Sequence, residues 1–360
     1  MTSEDEFLPS YVTHAQSPFV RVSIAVHLPR VMLSLGLDPD PMIRRAGLDM
    51  SVFDDPDNRI DYQELAKLCE DAANASGCEH FGLLLGSHGN LETLGHVGAN
   101  AALTKNVGDA LGRIIENFHE QDTGAIVDIE YNNDEVGLRY LVIDPRVNSG
   151  AQITLGAIAI GYQILQQLSE GRLSTMVVKL PMREPRNPAP FTDFFKCPIH
   201  FNSPVAGLFF DGGWLGASLP ESEKDMSGDA NAPQDVLQTD KDLNRSAEII
   251  SAILLRRLFA GMSLGAVSVS KDFDFNRRTL HRRLSQAGTS YQELRDSLLS
   301  GLARRFLNDT EISVTEIALL LGYSELSPFT RAFHGWDSVS PSEYRRARRS
   351  VVPATTQRTD

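Results

Sequence analysis

Residues 313–336 constrain the fold more than any other part of this chain. Ser313 and Glu316 have the spacing of a capping box, which predicts the start of a helix. Gly322 follows an apolar stretch, and glycine adopts the positive φ of a tight turn between helices at little cost. A second run then repeats aromatic residues at the spacing of one helix face, namely Phe329, Phe333 and Trp336. The whole pattern predicts a helix-turn-helix.

The second helix of this unit leaves polar side chains opposite its aromatic face. They are Thr330, Arg331 and His334. We expect Ser324 or Ser327 to cap the helix, with Pro328 at the first helical position if Ser327 is the cap. A short helix with one packed face and one polar face can present the polar face to the major groove of DNA.

A similar helix is predicted upstream, at residues 276–284. Its Leu280 and Leu284 face inward by their spacing. The solvated face then carries Arg278, His281 and Arg282. On composition alone these arginines are most simply a solvated charged face, and only their place on this helix favours contact with DNA. Residues 291–307 between the two units repeat large apolar side chains at helical spacing, which predicts a long connecting helix.

The charge of the chain is divided unevenly along its length. The 360 residues carry a formal net charge of −13. Residues 241–360 hold 18 basic and 13 acidic residues, a balance of +5, whereas residues 1–240 hold 16 and 34, a balance of −18. A basic module is typical of nucleic-acid binding, and an acidic one is not. Two modules with different partners are therefore predicted.

The first two thirds of the chain combine helix and strand patterns. Asp61 and Glu64 predict the capped start of a helix that ends near Ser76. An alternating run and an apolar run flank the turn residues 132–134, which predicts a β-hairpin. Pro29 is expected to start or kink an early helix. Other helices are predicted at 107–118 and 148–170, and strands at 174–180, 199–202 and 207–211.

The back part of the chain has a different character. Residues 221–242 are polar and have little to bury, which predicts a linker. Beyond the linker the strand signals vanish, and residues 243–350 are predicted to form consecutive helices. The predicted fold is thus an α+β N-terminal domain followed by an all-α C-terminal domain with two helix-turn-helix units.

Several classes of protein are disfavoured by the sequence. The acidic N-terminus lacks the pattern of a signal peptide, and the longest apolar stretch is too short to span a membrane. The three cysteines, Cys69, Cys78 and Cys197, form no paired motif and indicate a reducing, cytoplasmic compartment. No phosphate-binding, dinucleotide-binding or hydrolase motif is visible, so neither a cofactor nor a catalytic residue is predicted.

One spacing resembles that of a metal site. His88, Glu92 and His96 are four residues apart, as metal ligands on a helix often are. Three glycines interrupt this stretch, which favours a loop or packed histidines, and no metal site is predicted. Cys69 and Cys78 are interpreted as small buried apolar residues in preference to a redox switch.

The C-terminal part of the chain resembles the DNA-binding domain of AraC/XylS-type transcription regulators. The residues that carry the resemblance are Arg278-Thr279-Leu280-His281-Arg282-Arg283-Leu284, Gly288-Thr289-Ser290-Tyr291, Ile317-Ala318, Leu321-Gly322-Tyr323-Ser324, Phe329-Thr330-Arg331-Ala332-Phe333, Trp336 and Ser340-Pro341-Ser342-Glu343-Tyr344-Arg345. Ser338 replaces a glycine that is common in this family. The front half is similar, through more diffuse motifs at 194–201, 207–210 and 219–220, to the arabinose-binding-type effector domain of ornithine-utilisation-regulator-like members.

The resemblance implies a sequence-specific DNA-binding transcription regulator that a small-molecule effector controls. It implies an effector domain at 20–220, the linker at 221–242 and a DNA-binding domain at 243–350. The implied base contacts are Arg278, His281 and Arg282 in one major groove, and Ser327, Thr330 and Arg331 in the next. The implied phosphate contacts are Asn276, Ser324, His334 and Arg345. The implied partners are double-stranded DNA and the effector, with RNA polymerase and a second copy of the chain as further candidates, and no membrane.

Two other interpretations stay open at this point. In the first, the front domain is an enzyme with a helical appendage. In the second, the protein is an adaptor whose helical module binds protein. The effector-binding residues are not assigned by the sequence. The strands around Tyr131, Tyr140 and Phe209 are candidates, although a core role is favoured for all three.

Overall fold

The chain consists of an α+β part followed by an all-helical part. A computed structural model describes residues 17–173, 175–219, 245–272, 277–286 and 288–349. The predicted linker at 221–242 lies outside the described residues. The elements predicted from the sequence are present, and the front part has further helices and strands.

The front part has seven strands and eight helices among the described residues. The strands are β1 (Phe19–Arg21), β2 (Arg59–Asp61), β3 (Ala125–Asn132), β4 (Glu135–Val142), β5 (Met176–Lys179), β6 (Ile199–His200) and β7 (Ala206–Asp211). The helices are α1 (Leu28–Ser34), α2 (Pro39–Arg45), α3 (Tyr62–Ser76), α4 (Phe81–Gly86), α5 (Gly95–Ala102), α6 (Val107–Asn117), α7 (Ala151–Leu168) and α8 (Ala189–Phe195).

The back part has only helices among its described residues. They are α9 (Arg245–Phe259), α10 (Ala266–Val269), α11 (Arg277–Gln286), α12 (Tyr291–Asp309), α13 (Val314–Leu320), α14 (Leu326–Asp337) and α15 (Pro341–Arg349). The α+β and all-α division predicted from the sequence is confirmed.

A five-stranded sheet forms the framework of the front part. Its strand order is β3-β4-β7-β5-β6, with β5 and β6 parallel and the other neighbours antiparallel. The predicted hairpin is β3–β4, and Asn133 in its turn has a φ of 52°. Asparagine tolerates this left-handed conformation better than most residues, which explains its place in a two-residue turn. A separate pair, β1 and β2, is antiparallel.

Helix α7 packs across the sheet and against α4 at very short range. An added Cβ at Gly82 would lie 2.0 Å from the carbonyl oxygen of Gln152, and one at Gly86 would lie 2.3 Å from that of Gly156. The Gln152 side chain also accepts a hydrogen bond of 2.8 Å from the Gly82 amide. Glycine at these positions lets the two helix backbones meet, which closes the core of the front part.

The front part contains elements that the sequence analysis did not predict, namely strands β1 and β2 and helices α2, α4, α5 and α8. Some predicted helices also differ at their starts. The early helix begins at Leu28 with Pro29 in its first turn, because proline has no N–H and the first helical N–H groups need no helical partner. Asp61 caps α3 by accepting hydrogen bonds from the amides of Gln63 and Glu64, as predicted. Helix α7 begins at Ala151, three residues after the predicted start.

We predict that Gly82→Ala lowers the free energy of unfolding by about 3 kcal/mol, because the new methyl group meets a backbone oxygen that cannot move aside. The matched control is Gly112→Ala in α6, where nothing lies within 4 Å of the added Cβ. That change should raise stability by about 0.5–1 kcal/mol. Thermal unfolding followed by circular dichroism distinguishes the two, and equal effects would contradict the close approach of α4 and α7.

Ser338 ends α14 in the left-handed conformation, with a φ of 58°. A side chain in this conformation costs about 1 kcal/mol, which explains why glycine is common at this position in the resembling family. We predict that Ser338→Gly raises the thermal midpoint, whereas Ser338→Ala does not. A gain with alanine equal to that with glycine would show that backbone strain is not the cause.

Candidate nucleic-acid interface and effector cavity

The predicted helix-turn-helix is formed by α13 and α14. Ser313 and Glu316 form a reciprocal capping box at the start of α13, as predicted. Gly322 in the turn has a φ of 82°. Ala318 is fully buried, and so are Phe329 and Phe333 of α14. The small alanine and the two rings let the helices cross closely over one core.

The start of α14 differs from the prediction. The helix begins at Leu326 after Glu325, and no side chain caps it. Neither Ser324 nor Ser327 is therefore the cap, and Pro328 lies within the first turn but not at its first position. The Ser327 hydroxyl instead accepts a hydrogen bond of 2.7 Å from Arg331 Nη1. This contact holds the guanidinium along the exposed face of the first two turns.

The polar face of α14 is exposed over most of its length. Ser327, Arg331 and His334 are exposed, and Thr330 is half-buried. The Thr330 hydroxyl donates to the Leu326 carbonyl oxygen at 3.0 Å, which directs its polar group back to the helix. Trp336 is half-buried against the helical core, as predicted.

Helix α11 carries the second set of predicted base-contacting residues. Leu280 and Leu284 are buried, whereas Arg278, His281 and Arg282 are exposed. The sequence spacing thus assigned both faces of this helix correctly. Asn276, a predicted phosphate contact, lies outside the described residues.

The long helix α12 holds both units together. Its residues Leu294, Leu298, Leu302 and Phe306 are buried, as their spacing predicts. Helices α11, α13 and α14 all pack against α12. Arg304 of α12 donates to Asp337 at the end of α14 over 2.8 Å, which ties the second unit to the connecting helix.

The remaining predicted phosphate contacts have different surroundings. Ser324 and His334 are exposed. Arg345 is half-buried on α15, and its guanidinium donates to the carbonyl oxygens of Leu307 and Phe306 at 3.3 and 3.4 Å. These bonds join α15 to the end of α12, a structural role that the sequence did not indicate.

The helical part docks on the sheet through a buried arginine. Arg305 of α12 donates to three carbonyl oxygens at the end of β4 and in the loop after it, at 2.8 Å to Val142 and 3.2 Å to both Asp144 and Val147. Burial lowers the pKa of Arg305 to about 10, which leaves the group protonated at neutral pH. One turn later, Asp309 accepts hydrogen bonds from the Ser149 hydroxyl at 2.7 Å and the Gly150 amide at 2.9 Å.

An apolar contact accompanies these bonds. Leu141 of β4 and Ile143 just after it are buried in the same cluster as Leu255 and Leu302 of the helical part. Arg256 of α9 also pairs with the buried Asp128 of β3 at 3.0 Å. The sequence reasoning missed this interface. Its available signal was the run Tyr140–Ile143, which is apolar on both faces of its strand and therefore needs cover on both sides.

A cavity lies on the other face of the sheet, between β3, β4 and β7 and the helices α6 and α7. The volume of this cavity, together with its opening to solvent, is about 840 Å³. Apolar side chains form most of its wall, and the polar lining residues are Gln121, Asp122, Arg139 and Tyr140. Tyr140 is one of three suggested lining residues. Phe209 is a core residue, as favoured, whereas Tyr131 is 68% exposed because its end of β3 extends beyond the packed helices.

The histidines with metal-like spacing do not share a site. His96 pairs with Glu120 at 2.6 Å, and the His88 ring contacts the His27 ring at a tilt, with centroids 4.7 Å apart. In the described ranges, no group of three potential ligands is arranged to hold a metal ion. Those ranges also contain no helix with the length and apolarity that crossing a bilayer requires. All three cysteines are free thiols, and Cys69 and Cys78 are buried.

Comparison with known proteins agrees with both parts of the structure. Residues 36–219 match the arabinose-binding domain of AraC transcription regulators, and residues 269–347 match a helix-turn-helix domain. The chain is 24% identical to the ornithine utilization regulator of Pseudomonas aeruginosa, over 91% of this chain and 96% of that protein. It is also 24% identical to the HTH-type transcriptional regulator VirS of Mycobacterium tuberculosis, over 88% of this chain and 93% of that protein.

A solved structure is similar as well. The crystal structure of the transcriptional regulator CdpR from Pseudomonas aeruginosa aligns with 74% of this chain and 86% of that chain, at 24% identity and a TM-score of 0.34. The matched families and relatives are regulators, which disfavours the enzyme interpretation. The chain is a member of the AraC family of DNA-binding transcription regulators, with an N-terminal effector domain of the arabinose-binding type.

Proposed function

We propose that the chain regulates transcription by laying the polar faces of α11 and α14 in successive major grooves of its operator. Base contacts come from Arg278, His281 and Arg282 in one groove and from Ser327, Thr330 and Arg331 in the next. The main support is that two short helices, both with exposed polar residues, pack on one connecting helix. Successive major grooves on one side of the duplex are about 34 Å apart.

The chemistry of α14 suggests how its contacts divide. Arg331 suits a guanine, because a guanidinium donates two hydrogen bonds to the guanine edge. Thr330 has its hydroxyl bonded to the helix, so its methyl group suits the methyl group of thymine. Ser324, His334, Asn276 and Arg345 supply phosphate contacts, which set the register and make affinity fall with added salt.

Effector control acts through the arrangement of the two parts. Tyr140 lines the cavity, while the next residue, Leu141, packs in the helical core. A ligand that favours one position of β4 therefore favours one position of the helical part, provided that its affinity differs between the two arrangements. By family resemblance, we also propose action in the cytoplasm, a homodimer formed through the front part, and contact with RNA polymerase at the promoter.

We predict that Arg331→Ala weakens binding to specific DNA by about 1–3 kcal/mol and spares the fold, because its side chain is exposed. The operator fragment is obtained by in vitro selection with the full chain, and affinity is measured by fluorescence anisotropy. Arg44→Ala is the control, because it removes the same charge from an exposed position in the front part. Equal affinity of the Arg331→Ala and native chains would refute the assignment of Arg331.

We predict that Arg305→Met lowers stability by about 3 kcal/mol, because it leaves buried carbonyl oxygens without donors. It should also abolish the effect of bound ligand on DNA affinity. Arg304→Met is the control, since it removes the neighbouring arginine, which bonds to Asp337 within the helical part. Calorimetry and anisotropy measure the two effects. Ligand response that survives in Arg305→Met would contradict coupling through this interface.

A further inference from the structure

The cavity in the front part has one chemical character over most of its wall. Helices α6 and α7 contribute side chains such as Leu111, Ile114, Ile153 and Ile164, and Leu138 of β4 lies opposite. Burial of hydrocarbon is favourable in such a space, whereas hydroxyl groups would lose their hydrogen bonds to water without replacement. A sugar therefore fits this wall poorly, despite the name of the domain family.

Two of the polar residues at the cavity are already engaged. Gln121 accepts a hydrogen bond from Arg21 at 2.6 Å and donates to the Leu94 carbonyl oxygen at 3.1 Å. Arg139 pairs with Asp128 at 2.8 Å and with Glu130 at 3.0 Å. Their polar atoms are thus committed to the protein.

Asp122 is in a different position. Its Oδ1 accepts from the amides of Gly124 at 2.7 Å and Ala125 at 3.0 Å. Its Oδ2 accepts from the Tyr140 hydroxyl at 2.9 Å, and the Tyr62 hydroxyl lies 2.8 Å from that of Tyr140. Among the described residues Oδ2 has no other donor and the carboxylate has no ion-pair partner. A carboxylate oxygen can accept two hydrogen bonds, so one acceptor site is left.

Burial raises the pKa of Asp122 to about 7, and the nearby carboxylate of Asp144 adds to this rise. The charged form of Asp122 is therefore costly in this apolar surrounding, because a buried charge needs a partner of opposite sign. A ligand that brings a cation to Oδ2 would remove this cost.

We propose that the cavity binds an apolar molecule with a single protonated amine, whose hydrocarbon part lies between α6, α7 and the sheet and whose ammonium group donates to Asp122. This inference rests on the proposed function, in which ligand binding at the front part controls the helical part. It names the chemical class of the effector, and it excludes sugars and carboxylates of the same shape.

The test uses a matched series of probes with the full chain. The probes are 4-phenylbutylamine, 4-phenyl-1-butanol, 4-phenylbutyrate and L-arabinose, and isothermal titration calorimetry gives each Kd. The amine should bind about 10–100-fold more tightly than the alcohol, because a charge-assisted hydrogen bond replaces a neutral one. Stronger binding of the carboxylate or of arabinose would overturn the proposal.

Two variants locate the binding site. Asp122→Asn should remove the preference for the amine over the alcohol while leaving the hydrocarbon wall unchanged. Ala157→Phe on α7 should fill the cavity and abolish binding of every phenylbutyl probe, with Asp122 intact. Circular dichroism checks the fold of both variants. Amine binding that is unchanged in Ala157→Phe would place the ligand elsewhere and overturn the proposal.

Affinity for the amine should also rise by up to about tenfold between pH 6 and pH 8, because Asp122 ionises over this range while the ligand stays protonated. The titratable groups beside Asp122 are Tyr140, Tyr62 and Asp144, and burial holds both tyrosines neutral over this range by raising their pKa. The dependence should vanish in Asp122→Asn. A flat profile in the native chain would overturn the role of Asp122.

The same experiments separate this inference from the proposed function. If the chain binds its selected DNA but no amine, the effector class is wrong and DNA recognition stands. If the amine binds through Asp122 but Arg331→Ala leaves DNA affinity unchanged, the effector class stands and the groove assignment fails.

Discussion

The burial of the Arg305 guanidinium against three backbone carbonyl oxygens determines how the two parts of this protein meet. A buried cation is tolerated only where its N–H groups find acceptors, and the carbonyl oxygens at the end of β4 and in the loop after it are those acceptors. The interface therefore has a fixed register: sliding α12 by one residue would leave the charge and the carbonyls unpaired. Asp309, one turn along the same helix, repeats this constraint with the opposite charge.

Strand β4 links this interface to the effector domain because its two faces serve different parts. Leu138 and Tyr140 face the cavity, whereas Leu141 contributes to the helical core. Close-packed interiors are barely compressible and transmit small displacements, and a packed interface responds by switching between discrete arrangements instead of deforming continuously. The three hydrogen bonds of Arg305 define one of these arrangements. They all come from one guanidinium group, so they form together and are lost together.

The sequence predicted the elements of the helical part well, since capping boxes, leucine spacing and positive-φ glycines are local signals. Ser313, Gly322 and Leu284 all have the predicted roles. It failed where the answer depends on distant residues. Nothing local marks Arg305 as buried, because its partners are backbone atoms more than a hundred residues away. Pro328 misled the prediction for α14, since proline is tolerated anywhere in a first turn.

Asp122 at the cavity and Arg305 at the interface are both buried charged groups, but they differ in how far the protein supplies their partners. The hydrogen-bond acceptors of Arg305 all come from the protein, so Arg305 stabilises one arrangement of the two parts without any ligand. Asp122 accepts three hydrogen bonds from the described protein and has one acceptor site left, so a cationic partner would stabilise its charge further. An effector that completes Asp122 changes the free energy of β4 and its surroundings, and typical couplings of about 1–3 kcal/mol suffice for regulation. If the protein filled every acceptor site of Asp122 itself, ligand binding at this carboxylate would add no free energy that could shift the helical part.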